Sequence, residues 1–315
     1  MSYEQFKTDE IEGIVKKAKR KSVIRNIVIS AISLIIFGFI FIISNSPILN
    51  WASQKAIEDN KLLYEITQPN VEIGAVNKEY GILSGRYTFN KYKLIEDKVV
   101  PWGTEQKTFN ALGHNNPSGI NDSVRVGETE NEYRYYNPTN GQRSMLFYHP
   151  WFEYTNIQND LKLIENVPND AVMEVAISFD KPYSVSEVQE FFKLKNTITW
   201  YWVNDYNHND REQLKGLHES GDTSSFVYGF KNKILQGKGD VVVQNEETYI
   251  STLNELKSKG NYDYIVDRLL KSAKQNKKEG LILGVVVTGN KEELLRLKEE
   301  KHIRAISLGV VARNY

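Results

Sequence analysis

Five histidines, at positions 114, 149, 208, 218 and 302, are the side chains best placed to move protons or bind metal near neutral pH. They are scattered over nearly two hundred residues, and no pair has the His-x3-His spacing of a helical metal site. His208 has the most polar surroundings, NDYNHNDRE, with Asp205 and Asp210 close by. Those three groups could bind a cation or exchange a proton, but a polar, solvated loop is the simpler expectation. Trp200, Tyr201 and Trp202 could form a platform on which a sugar stacks. On a strand, however, Trp200 and Trp202 share one face and Tyr201 takes the other, which fits core packing of the tryptophans. The chain contains no cysteine, so thiolate zinc cages and thiol nucleophiles are excluded. HExxH, P-loop, G-x-S-x-G and dinucleotide fingerprints are absent as well. The chain is therefore expected to be no enzyme and to carry no cofactor and no metal.

The residues that do form a pattern lie at the other end. Ile11, Ile14, Val15 and Ala18 recur at helical spacing and would make one apolar face, a candidate partner-binding surface. A collar of Lys16, Lys17, Lys19, Arg20, Lys21 and Arg25 overlaps and follows it, against Glu12 alone among residues 12–26. Thr8 or Asp9 could cap this short helix. A helix lying on anionic lipid is the competing use of the same residues.

The element that must position this segment is Ile27 to Ile43, IVISAISLIIFGFIFII. Its seventeen residues hold no charge, and thirteen are Ile, Leu, Val or Phe. As a helix it spans about 25 Å, close to a hydrocarbon core about 30 Å thick. Insertion of thirteen such residues is favourable by roughly 4 to 8 kcal/mol. Pro47 is expected to stop the helix and Trp51 to anchor it at the interface. The only small-x-small triplet nearby, Ser44-Asn45-Ser46, runs straight into Pro47, so an uncleaved anchor is expected rather than a removed signal peptide. With the collar before the span, the positive-inside rule puts the N-terminus in the cytoplasm and everything beyond about residue 45 outside the cell membrane.

The exterior contains two textures. Residues 52–63 read as a helical stalk. From Tyr64 to about residue 153, VEIGAV (71–76), GRYTFNKYKLI (85–95) and YRYYN (133–137) alternate as strands, a long polar loop covers 112–131, and Asn140-Gly141 marks a tight turn. Further on, strands are expected at 171–179, 197–203, 225–230, 281–287 and 303–312. Helices are expected from Ser184 with a capping box to Glu187, over 246–276 with a break near Gly260, and over 290–300. The fold class is α+β: one transmembrane helix, a β-rich membrane-proximal region and a C-terminal mixed sheet with helices, ferredoxin-like or related. The expected division is 1–26 cytoplasmic tail, 27–43 span, 44–155 stalk and β-rich region, and 156–315 the α+β domain.

The chain of 315 residues has forty acidic and forty basic side chains, and nothing in the exterior suggests nucleic-acid binding. Without disulfides the exterior must be held by its core, which suits a Gram-positive cell surface.

Three blocks carry a resemblance. KKAKRKSVIRNIVIS (16–30), VAISFDKPYSVSEVQEFF (175–192) with WYWV (200–203), and LGVVVTGNKEELLRLKEEKHIRAISLGVV (283–311) resemble the membrane-anchored sigma factor regulators, or anti-sigma factors, of Bacillus- and Clostridium-type bacteria. The first block looks like that family's N-terminal domain, the other two like its extracellular C-terminal domain. The resemblance implies a single-pass regulator of an extracytoplasmic-function sigma factor with an external sensing domain. Its partners would be a sigma factor or a companion membrane protein, besides the lipid bilayer and an extracellular ligand. The His/Cys zinc motif of many anti-sigma domains is missing here, which leaves room for an auxiliary subunit. The alternative is a cell-surface or cell-wall ligand-binding protein that does not signal.

Overall fold

The computed structural model describes residues 3–115, 123–127, 133–194, 197–218, 220–236, 240–260 and 262–313. A single helix, α1 (Tyr3–Thr67), is 65 residues long, about 98 Å at the standard rise. It is already under way at Tyr3, so Thr8 and Asp9 lie inside it and are not caps. Pro47 is also inside it, and the expected stop there is overturned. Proline removes one backbone donor, and Ser44 Oγ takes up the nearby Phe41 carbonyl at 3.2 Å. From Leu49 onward tertiary packing holds the helix: Leu49, Ala52 and Ala56 are fully buried. The expected stalk is thus a core element.

What α1 packs on is an antiparallel meander of β1 (Val71–Tyr80), β2 (Ser84–Ile95) and β3 (Lys98–Asn110). Alternation along β2 buries Tyr87, Phe89 and Ile95 against the helix. β3 was not evident in the sequence, because Pro101 and Gly103 read as breakers. The ladder accommodates them with a bulge at Lys91/Tyr92, and Gly103 takes φ +113°. In the polar stretch 112–131, β4 (Val124–Val126) pairs with β5 (Arg134–Tyr136); residues 116–122 and 128–131 lie outside the described residues. Short strands β6 (Leu146–Phe147) and β7 (Glu153–Tyr154) lead to α2 (Leu161–Asn166).

The second sheet is built from β8 (Val172–Tyr183), β9 (Ile198–Val203), β12 (Gly229–Lys231), β15 (Ile282–Asn290) and β16 (Ile303–Ala312), in the spatial order β12-β9-β15-β8-β16, all antiparallel. Between them run α3 (Val185–Phe191), α4 (His208–Gln213), β10 (Leu217–His218), β11 (Asp222–Thr223), the hairpin β13 (Lys233–Gln236) with β14 (Asp240–Val243), α5 (Glu246–Ser258), α6 (Asp263–Asn276), α7 (Lys291–Leu295) and a 3-10 turn at Arg296–Glu299. The Ser184 capping box to Glu187 is present, and the break between α5 and α6 falls at Gly260 with φ +68°.

One sheet face buries Val175, Ile177, Tyr201, Val285 and Ile306 under the helices. On the other, Trp200 and Trp202 are fully buried with Met145, Phe147 and Val286. The two tryptophans share a face opposite Tyr201, as alternation requires. This second face has small residues where the 145–148 segment crosses it. A Cβ on Gly309 would come 2.6 Å from Met145 Cγ.

Candidate functional site

Two places in the molecule carry more than packing. The first is the seat of α1. Its last turns put Leu63 and Ile66 into the core shared with the second sheet, and Trp200 Nε1 donates to the Glu65 carbonyl at 3.2 Å. The Tyr64 hydroxyl donates to Glu105, whose carboxylate also lies 3.4 Å from both Lys91 and Lys107. Burial raises the Glu65 carboxyl above its ordinary range, opposed by Lys231.

Meander and sheet meet through charge. Lys93 on β2 donates to both oxygens of Glu174 on β8, at 3.0 and 2.7 Å, and Asn70 Nδ2 donates to the same carboxylate at 2.9 Å. Lys93 also stands 4.4 Å over the Trp102 ring. At the margin, Lys231 meets Glu72 at 2.5 Å, and Thr288 Oγ1 donates to Glu96 at 2.6 Å. Hydrophobic contact alone would let two layers slide. The buried Lys93–Glu174 pair favours one register, because a displacement leaves a buried charge alone.

The second place is a polar cluster beside Trp202. His149 is buried, with Nε2 3.1 Å from Asp222 Oδ2, and its ring is edged by Trp202 and Tyr206 at 4.7 and 4.8 Å. Asp205 is buried next to it, and Arg268 reaches Asp205 Oδ2 at 3.1 Å. Burial pushes the Asp205 carboxyl up to about 6, with His149 and Arg268 pulling the other way. The expectation of a solvated loop over NDYNHNDRE is therefore corrected. Asn207 opens α4 with a capping box to Asp210, His208 is exposed on that helix, and Asp205 turns inward to His149. Sequence distance hid this group: fifty-six residues separate His149 from Asp205. Among the described residues, no cluster of three or more His, Asp or Glu side chains is arranged to hold a metal ion.

The sequence-derived partner face lies on the free end of α1. Ile14 and Val15 are 64 % and 58 % exposed and Ala18 is exposed beside them, while the side chain of Ile11 lies outside the described residues. Lys16, Lys17, Lys19, Arg20, Lys21 and Arg25 are all exposed on the same helix. α1 is also long and apolar enough to cross a membrane.

Residues 12–100 match the model of the sigma factor regulator N-terminal domain, and residues 164–310 that of the sigma factor regulator C-terminal domain. The chain belongs to the sigma factor regulator family. No curated protein and no solved structure matches it. Within this sigma factor regulator, Lys93 belongs to the N-terminal match and Glu174 to the C-terminal one. The buried ion pair therefore joins the two family domains to each other.

Proposed function

We propose that this chain is a single-pass membrane regulator of an extracytoplasmic-function sigma factor, working as the anti-sigma factor itself or as its auxiliary subunit. The observation that carries the reading is the pair of family matches, the first of which takes in α1 from residue 12 onward. In this reading residues 27–43 span the membrane, the basic collar keeps the N-terminus in the cytoplasm, and the two sheets form an extracellular sensing domain. The order β9-β15-β8-β16, with α3 following β8 and α7 following β15, supports reading the second sheet as a ferredoxin-like layer.

The physical logic is that of a lever. The outer third of α1 is seated in the folded domain by the burial of Leu49, Ala52 and Ala56 against the meander and by the Tyr64–Glu105 contact, and Lys93–Glu174 ties that meander to the second sheet. A ligand or stress that shifts the outer domain therefore moves the whole helix, and with it the Ile14, Val15 and Ala18 face. That face would lie in a groove of the sigma factor or of a companion membrane protein. Neither reading requires catalysis.

Affinity capture of the full-length chain from solubilised membranes tests this. A sigma factor, or a membrane protein that itself holds one, is expected in the captured material. Recovery of neither, from membranes where the chain is abundant and folded, would overturn the proposal.

A further inference from the structure

The turn between β1 and β2 is tied to α1 just where the apolar run ends. Asn45 lies two residues past Ile43. Its Nδ2 donates to the Gly81 carbonyl at 2.9 Å, and its Oδ1 accepts from the Leu83 N–H at 3.1 Å. The turn so held presents aliphatic side chains to the outside: Ile82 is 74 % exposed and Leu83 49 %. Leu83 also has φ +54°, a region where glycine or asparagine is the ordinary occupant and a leucine costs conformational energy. An exposed leucine in a strained turn gains nothing from water. Trp51 and Tyr80 are both exposed within a few residues of these contacts, with the Tyr80 hydroxyl 3.1 Å from Asn50 Oδ1. Aromatic residues with one wet end are the usual company of a membrane interface. The opposite end of the meander differs, since its turn is Glu96-Asp97 followed by Lys98.

We propose that the β1–β2 turn, through Ile82 and Leu83, is seated in the outer leaflet of the membrane that α1 crosses. The inference rests on reading α1 as the span. Asn45 is about 3 Å beyond Ile43 along the helix axis, and the headgroup region is about 5 to 8 Å deep on each side. A turn held at that level puts its aliphatic side chains at the acyl–headgroup boundary, where their burial is favourable. The outer domain then rests on the bilayer at two points, the helix and the turn. Two points fix the tilt of the domain against the membrane plane, which a single helix leaves free.

The cysteine-free chain makes the test clean. Three single variants of the full-length protein, Ser33→Cys, Ile82→Cys and Val99→Cys, are each labelled with an environment-sensitive NBD fluorophore. They are reconstituted into vesicles of phosphatidylethanolamine and phosphatidylglycerol, with and without nitroxide-bearing acyl chains. Val99 is 62 % exposed at the far end of the same sheet and serves as the aqueous reference. Labels at 33 and 82 are expected to emit to the blue and to be quenched by the nitroxide lipid, and the label at 99 to do neither. If 33 is quenched but 82 behaves like 99, the turn lies in water, and this inference fails while the span stands. If 82 emits to the blue without quenching, protein rather than lipid covers the turn, and the inference fails equally. If 33 is unquenched, the span and the inference fall together.

Discussion

Lys93 Nζ lies 2.7 Å from Glu174 Oε2, and the two side chains are 3 % and 0 % exposed. One comes from β2 of the meander and the other from β8 of the second sheet, 81 residues on. Removing one member of such a pair strands the other in a dry environment. Glu174→Ala is expected to destabilise the folded chain by about 3–5 kcal/mol. The double variant Lys93→Met/Glu174→Met should recover much of that loss, since it leaves no buried charge. Denaturation of the detergent-solubilised protein, followed by tryptophan fluorescence, reads both. A double variant as unstable as Glu174→Ala would mean that the site needs its charges for more than mutual neutralisation.

The helix seat is tested by volume. Ala56 is fully buried between α1 and β2, and its carbonyl accepts from Asn115 Nδ2 at 2.8 Å. Ala56→Leu forces the layers apart and should cost about 1–3 kcal/mol. Gln54→Leu, at an exposed position two residues away, should stay within about 0.5 kcal/mol of the parent. Equal melting temperatures for the two variants would contradict the tight seat.

Asp205 makes a pH prediction. Burial raises its carboxyl from an ordinary 3.8 to about 6. Between those values the folded chain holds a proton that the unfolded chain has released, so the contribution of Asp205 to stability falls as pH rises. The full change is about 3 kcal/mol, present below about pH 4 and lost above about pH 6. Asp205→Asn removes this dependence. Its melting temperature relative to the parent should therefore climb between about pH 4.5 and pH 7.5. A constant difference across that range would show that the Asp205 carboxyl is not raised.

The parts of this architecture that local rules govern were legible in the sequence. Alternation placed β9 and apolar runs placed β8, β15 and β16, the Ser184 capping box opened α3, and the break at Gly260 separated α5 from α6. Three things were not. Pro47 reads as a stop because proline propensity is local, whereas the packing that carries α1 past it comes from β1, β2 and β3. β3 was hidden by Pro101 and Gly103, between which β3 carries a one-residue bulge at Trp102. The Lys93–Glu174 and His149–Asp222 contacts join residues 81 and 73 positions apart, and no periodicity reaches that far. What ties the meander to the second sheet is therefore tertiary charge pairing that a reading of segments does not see.

The most direct measurement of the central claim asks what the N-terminal end of α1 touches in the living cell. A photo-crosslinking amino acid at position 14 of the full-length chain is activated in intact native cells, and the adducts are identified by mass spectrometry. The expected result is a covalent adduct with a sigma factor or with a companion membrane protein that binds one, lost when Val15→Asp is combined with the probe. Adducts with lipid alone, unchanged by Val15→Asp, would show that this helix end only rests on the membrane and would contradict the account.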